Sequence, residues 1–409
     1  MIRDSLRDIR VLDFSHVLAG PVCSMMLADL GADVVKIEPL SGELGRQIGP
    51  PWINGESVAN LSVNRNKRSV AVNLKTDAGR QAIRKMARQA DVIIENFRPG
   101  VMSTLGLDYA SLQDVNRRLV YCSISAFGQT GASRGRAGVD GIIQAVSGLM
   151  STLGEPGSEP LKVPVPVADM VGGYMASIAV LAALQEVRCG GPGQHLDVSL
   201  FNTAIMLQQV GFTSFLASGI EPEKVGSAAP YASPNEAFPT RDGWLMIAAY
   251  HPGRWAALCD VLGMPDLESD PRFAANADRV RNRAALRRTL SECFRTRSTN
   301  EWLGLLSERD ILCAPVSTYS EVVNSPEYCE SGIDTSVDHP VAGKVRMPGF
   351  ALAKADGSRA EDVAAPLVGQ HSIEVLSEYG IADDEIAGLL NCGVIRNIAA
   401  QRAPETLNK

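Results

Sequence analysis

The chain has 409 residues, of which 45% are hydrophobic and 21% charged, and its formal net charge is −7. That length exceeds one ordinary domain, and that composition excludes global disorder. The acidic balance argues against general nucleic-acid binding, though not against a local basic pocket for an anionic ligand.

Eight cysteines (Cys23, Cys122, Cys189, Cys259, Cys293, Cys313, Cys329, Cys392) contain no CxxC pair, which fits a reduced cytosol better than a disulfide framework or a zinc site. The N-terminal MIRDSLRDIRVLDF has no signal-peptide h-region. The longest apolar stretch is interrupted by Gly172 and Gly173 and falls short of a convincing uncharged span. The expectation is a cytoplasmic protein with no membrane, nucleic-acid or metal partner.

The first hundred residues alternate strand and helix signals. Arg10–Phe14 reads as a short strand and Gly20–Leu30 as a helix rich in Ala, Met and Leu that Gly31 ends. Val34–Glu38 is the next strand, Ser69–Leu74 alternates like another, and Ala78–Gln89 is amphipathic and charged. Asp91–Glu95 and Val120–Ser125 read as buried strands. Strands separated by helices imply parallel βαβ units, in which ligands bind beyond the carboxyl ends of the strands. LKVPVPV (161–167) reads as a proline-stiffened strand, and from Met170 to Val187 nothing is charged before Glu186. A helix so apolar all round is expected to be buried.

The character changes after about residue 220. The stretch 221–240, rich in Pro, Ala and Ser, reads as a linker. Strands are expected at Trp244–Ala249 and near Cys313–Val316, with charged helices between them. The fold class is therefore α/β. Residues 1–220 form the first part of a large domain, 221–330 a linker and a small α/β domain, and 331–409 a return linker and the rest of the large domain.

Lys36-Ile-Glu38 places an acidic residue where dinucleotide enzymes hold a ribose, but the loop after the first strand, Ser15 to Pro21, has no GxGxxG. An NAD-dependent oxidoreductase is disfavoured. Asn64-Arg65-Asn66-Lys67-Arg68-Ser69 is either a solvated charge run or an anion site. Glu95-Asn96-Phe97-Arg98-Pro99-Gly100 follows a buried strand, where a loop can meet ligand. His16 titrates near neutrality, and a packing or positioning role suits it best. Asp169 opens the apolar helix as either an N-cap or a used carboxylate.

VLDFSHVLAGP (11–21), LADLGADVVKIE (27–38), NRNKRSVAVNLK (64–75), ENFRPGVMSTLGL (95–107), SISAFGQTG (123–131), VADMVGG (167–173) and PLVGQH (366–371) together resemble the class III CoA-transferases, of the formyl-CoA and carnitine CoA-transferase type. The pattern lies closest to members that use dicarboxylates such as succinate, glutarate or itaconate. The resemblance implies a Rossmann-like large domain with a parallel sheet, a smaller α/β domain and an interlocked homodimer. It implies no permanently bound cofactor: a coenzyme A thioester and a small carboxylic acid are the substrates, with succinyl-CoA as donor. Asp169 matches the family's nucleophile. Val17, Ala19, Val72, Asn73, Leu74, Lys75, Asn96, Phe97 and Arg98 match its CoA contacts. Arg46 is expected to pair the distal carboxylate of the acid, since bidentate Arg recognition suits that group.

Departures from the pattern are Pro39 and Thr104, each where formyl-CoA transferases carry Arg, and Gly226–Tyr231 in place of a glycine-repeat loop. They count against formate and oxalate as substrates. The α-methylacyl-CoA racemases of the same superfamily place a His where this chain has Val139, and valine exchanges no proton. Transfer is the favoured reading and racemisation the alternative.

Overall fold

The computed structural model describes residues 4–353 and 361–398. Residues 1–3, 354–360 and 399–409 of the expected large domain lie outside that description.

Six parallel strands run in chain order as β1 (Arg10–Asp13), β2 (Asp33–Glu38), β3 (Lys67–Val72), β4 (Val92–Glu95), β5 (Val120–Ser125) and β6 (His195–Ser199). They lie side by side as β3-β2-β1-β4-β5-β6, and the two-residue strand Ile395–Arg396 adds antiparallel to β3. The chain first walks outward from β1 to β3, then returns to β4 and walks the other way. The strand order therefore reverses between β1 and β4. In open parallel sheets that reversal opens a crevice at the carboxyl ends of the strands.

Strand residues alternate between two cores because successive side chains point to opposite faces. Leu12, Val35, Ile93 and Tyr121 join one core, while Val11, Val34, Ile94 and Cys122 join the other. Both faces being covered, the strands read as near-continuous apolar runs. Helix α1 (Ala19–Asp29) packs on the second face and α2 (Asp77–Ala87) on the first, where Ala82, Ile83, Met86 and Ala87 are buried. Thr76 starts α2 by accepting from the Gly79 amide.

Two further helices matter for the site: α3 (Asp140–Val146) and α4 (Val167–Arg188). The segment before α4 is not a strand. Residues 161–166 are irregular, since Pro164 and Pro166 have no N–H for a ladder. Nor is α4 buried all round. Ala168, Gly172, Ala176, Val180, Leu184 and Val187 recur at helical spacing on a buried face, whereas Tyr174 and Ile178 are 39% and 57% exposed. By length and composition α4 is long enough to cross a bilayer; here its small-residue face lies against α1.

By its internal contacts the chain divides into two units. One holds the residues up to Ser147, Val163–Phe212 and everything from Cys329; the other holds Gly148–Lys162 and Thr213–Tyr328. The second unit is built on an antiparallel sheet with Trp244–Ala248 between Asn235–Pro239 and Leu312–Pro315. Phe238, Leu245, Ile247, Trp255, Phe294 and Trp302 fill its core. The strand Asn235–Pro239 lies within the stretch expected to be linker, and its Glu236 and Phe238 turn inward. Gly148–Lys162, expected in the first domain, belongs to this unit, where Glu155 pairs with Arg287 at 3.0 Å.

Candidate active site

The loop between β1 and α1 stands on buried charge. Asp13, with no exposed surface, accepts from the Ser15 amide (2.9 Å), the Ser15 hydroxyl, the Ser24 hydroxyl (2.5 Å) and Lys67 Nζ (3.2 Å). Burial alone would raise its carboxyl, but Lys67 and Lys36 outweigh it and bring the group down to about 2. Lys67 is itself pushed down to about 8 by burial, against the pull of Asp13. It also donates to Pro21 O (3.0 Å) and Asn64 Oδ1 (2.8 Å). Lys36, equally enclosed, donates to Ser15 O (2.9 Å) and lies 3.5 Å from Glu43. Glu43 in turn accepts from the Val17 amide at 3.2 Å.

The strained residue of this loop is Val17, whose φ of 67° lies in the left-handed region. For a β-branched residue that conformation is an outlier costing about 1–3 kcal/mol, and it persists only where its surroundings over-determine it. Glu43 on its amide and Lys36 on the nearby Ser15 carbonyl supply that hold. Ala19 follows, buried at the start of α1.

Across the crevice the β4 loop grips the same segment. Asn96 Oδ1 accepts from the His16 amide (2.9 Å) and Asn96 Nδ2 donates to His16 O (2.8 Å). The Phe97 ring meets the His16 ring edge-on with centroids 5.0 Å apart. His16 is thus held by its backbone and one ring contact, and burial lowers its proton affinity. Phe97 N donates to Glu95 Oε2 at 2.8 Å; burial pushes the Glu95 carboxyl up to about 7, opposed by a bond from Ser123. Val17, Ala19, Asn96 and Phe97 therefore meet at the switch point, with Arg98 exposed beside them.

Val72 ends β3 on the same edge of the sheet, and Asn73, Leu74 and Lys75 lead into α2. Lys75 is exposed, and its amide donates to Asn73 Oδ1. Two strand positions separate this group from β1.

Asp169 reaches the crevice on α4. Its neighbour Met170 packs with Leu18 against Val22, Met25 and Val63. One turn later, a Cβ on Gly173 would stand 2.7 Å from Ala19 O, so the two helices touch backbone to backbone. The first turn of α4 thus sits beside the Val17–Ala19 loop, with Asp169 half-buried. Asp169 is not the N-cap: Pro166 holds that position without a side-chain cap, and Asp140 receives the amides of Ala168 (2.8 Å) and Asp169 (3.4 Å).

Arg46 has other employment than the one expected. Its Nε and Nη2 each lie 2.7 Å from the Glu38 carboxylate, and Nη2 also donates to Pro366 O at 2.9 Å. A guanidinium 8% exposed and forked onto a buried carboxylate is an internal ion pair rather than a waiting ligand. Glu38, also bonded by Ser69 Oγ at 2.5 Å, is equally unfree to hold a ribose. The 64–69 run is neither a solvated loop nor an anion site. Arg65 pairs with Asp29, Arg68 with Asp33 and Glu378, and Lys67 lies beneath the β1 loop.

Asp13, Glu43, Asp140 and Gln144 were not singled out in the sequence, and Lys67 was read only as part of the 64–69 charge run. A legible signal existed for Lys36, a charge among the apolar residues of β2, whereas Lys67 opens β3 beside Arg68 and Ser69 and gave no sign of its burial. Asp140 gave none, because its partners lie 28 residues downstream. Among the described residues no group of three His, Cys, Asp or Glu side chains is arranged to hold a metal.

Comparison with known proteins places these features in a family. The sequence model of "CoA-transferase family III" matches residues 6–372. A human succinyl-CoA:glutarate CoA-transferase is 35% identical over 392 residues, covering 95% of this chain and 90% of that protein. An Agrobacterium fabrum succinate–glutarate CoA-transferase is 36% identical, covering 91% and 95%. Among solved structures, a CAIB/BAIF family protein from Brucella suis superposes with a TM-score of 0.80 at 34% identity, covering 91% of this chain and 98% of that one.

Proposed function

The chain belongs to CoA-transferase family III, and from that premise we propose that it moves CoA from succinyl-CoA to a second dicarboxylate, glutarate first among the candidates. The observation that carries the substrate class is the pair of relatives, each about one-third identical over nine-tenths of the chain, whose names join succinate and glutarate.

In the proposed mechanism the Asp169 carboxylate attacks the thioester carbonyl. The C–S bond breaks, CoA leaves as thiolate, and an aspartyl–succinyl anhydride remains. The thiolate then attacks the aspartyl carbonyl, releasing succinate and leaving an aspartyl-CoA thioester. The acceptor carboxylate attacks that thioester and expels the thiolate, which takes the acyl group and frees Asp169. Charge is conserved in every step, so no general base is consumed. The position of Asp169 in the first turn of α4 supports this role, since the positive end of a helix favours a carboxylate anion. The over-determined Val17 loop and the Asn96 clamp support a preformed CoA site at the switch point. Val139 offers no second base for racemisation.

The proposal includes the interlocked homodimer and the Rossmann-like large domain that the resemblance implies. The reversal of strand order supports the second. The exposed apolar face of α4 (Tyr174, Ile178) and the exposed Met206, Leu207 and Val210 support the first, because apolar groups in such number mark an interaction surface. Light scattering reporting a stable monomer at assay concentration would remove the dimer.

A panel of acids offered with succinyl-CoA, with acyl-CoA products separated by chromatography, tests the substrate class. Glutarate and related dicarboxylates are expected to accept CoA. Transfer confined to monocarboxylates such as carnitine would overturn the reading.

A further inference from the structure

Helix α4 carries Asp169 yet starts without a cap of its own. Pro164 and Pro166 supply no amide protons, and Pro166 has no side chain to bond the first turn. The open donors are met from α3 instead. Asp140 Oδ1 accepts from Ala168 N at 2.8 Å and from Asp169 N at 3.4 Å. Asp140 Oδ2 accepts from Gln144 Nε2 at 2.6 Å. Gln144 then holds both backbone groups of Val163, accepting from its amide at 2.9 Å and donating to its carbonyl at 3.2 Å. Asp140 is 6% exposed and Gln144 fully buried, so water does not substitute for these bonds. The segment from Val163 to Asp169 is thus held at both ends by two side chains one turn apart on α3.

We propose that Asp140 is a positioning residue for Asp169: its carboxylate fixes the first turn of α4, and with it the point from which the Asp169 carboxylate attacks. The inference rests on Asp169 being the nucleophile. Two magnitudes separate positioning from a merely local structural role. A helix cap is a small part of a fold's stability. A reacting group displaced by about 1 Å loses on the order of 100-fold in rate. Loss of Asp140 should therefore appear in turnover far more than in folding or CoA binding. Asp140 acts on the backbone of the nucleophile, so its loss is expected to leave the ground-state affinity for CoA intact.

The test uses the full chain carrying Asp140→Ala or Asp140→Asn. Three quantities are measured: kcat for transfer, KM for acyl-CoA, and CoA affinity by calorimetry. Asp140→Ala is expected to lower kcat by about 10- to 100-fold while KM and CoA affinity stay within about twofold. Asp140→Asn keeps an acceptor oxygen in place but loses the charge-assisted bonds, so a smaller loss of about fivefold is expected. Should Asp140→Ala not fold, the nearly isosteric Asn variant decides the question by the same split. Unchanged kcat in either folded variant overturns the proposal, and so does a fall in kcat matched by an equal fall in CoA affinity. A wild-type protein with no transferase activity would instead defeat the functional reading on which this one rests.

Discussion

Two adjacent glycines in α4 should respond oppositely to the same substitution. A Cβ added at Gly173 would lie 2.7 Å from Ala19 O and 2.7 Å from Val22 Cβ and Cγ1. One neighbour is backbone and the other a β-branched side chain with no exposed surface, so neither yields without moving α1. At Gly172 the new Cβ meets only the tip of Leu200, which can rotate away. Both substitutions gain about 1 kcal/mol from helix propensity. At Gly173 overpacking costs about 1–3 kcal/mol against that gain, so Gly173→Ala should be destabilised by about 1 kcal/mol. Gly172→Ala should be neutral or slightly more stable. Function separates them further. Parting α1 from α4 by a few tenths of an ångström moves Asp169, one turn upstream, away from the Val17–Ala19 loop, and kcat should fall by about tenfold. Urea unfolding and initial-rate transfer assays on both variants measure these effects. A Gly173→Ala protein with wild-type stability and turnover would refute the close helix contact and the placement of Asp169 derived from it.

Arg46→Ala should lower stability by about 3 kcal/mol, because it strands the buried Glu38 carboxylate, while leaving KM for the acceptor acid nearly unchanged; normal stability with a raised acceptor KM would return Arg46 to the substrate site. Glu95 makes stability depend on pH. Its folded value of about 7 lies above the ordinary 4.5 of a glutamate, so the folded state holds the extra proton between those values. Stability from this group is fully present below about 4.5, falls as pH rises through about 7, and the whole effect is about 3 kcal/mol. Glu95→Gln should therefore be stabilised relative to wild type at pH 8 and not at pH 4.5. Urea titrations giving the same difference at both pH values would remove Glu95 as the cause.

Much of the first unit was legible because its strands are short apolar runs ended by turns, as at Val34–Glu38 and Val120–Ser125, where the structure has strands of nearly the same extent. Asn235–Pro239 was hidden because a proline-rich neighbourhood masks a five-residue strand whose alternation has only two inward residues. The irregular run before Asp169 was misread since Val-Pro alternation has the apolar pattern of a strand without the donors for a ladder. Local pattern also misjudged α4: apolarity on every face signals burial, yet one of those faces is exposed in the single chain. The motif segments that the resemblance assigned to CoA fell at the carboxyl edge of one sheet. What props them did not show in the sequence. Lys67 beneath Asp13, Glu43 beneath Val17 and Asp140 beneath Asp169 are partners 54, 26 and 29 residues apart, and no periodicity reaches that far.

In the proposed mechanism Asp169 becomes covalently acylated. Wild-type protein incubated with succinyl-CoA, trapped with hydroxylamine and digested for mass spectrometry should carry a hydroxamate at Asp169, on the peptide containing Val167–Gly173. Asp169→Asn should show no such label and no transfer, though it still folds and binds CoA. The N-cap position itself is held by Pro166 rather than Asp169. Full transfer by Asp169→Asn, or ternary kinetics in a wild type that never labels at Asp169, would contradict the account.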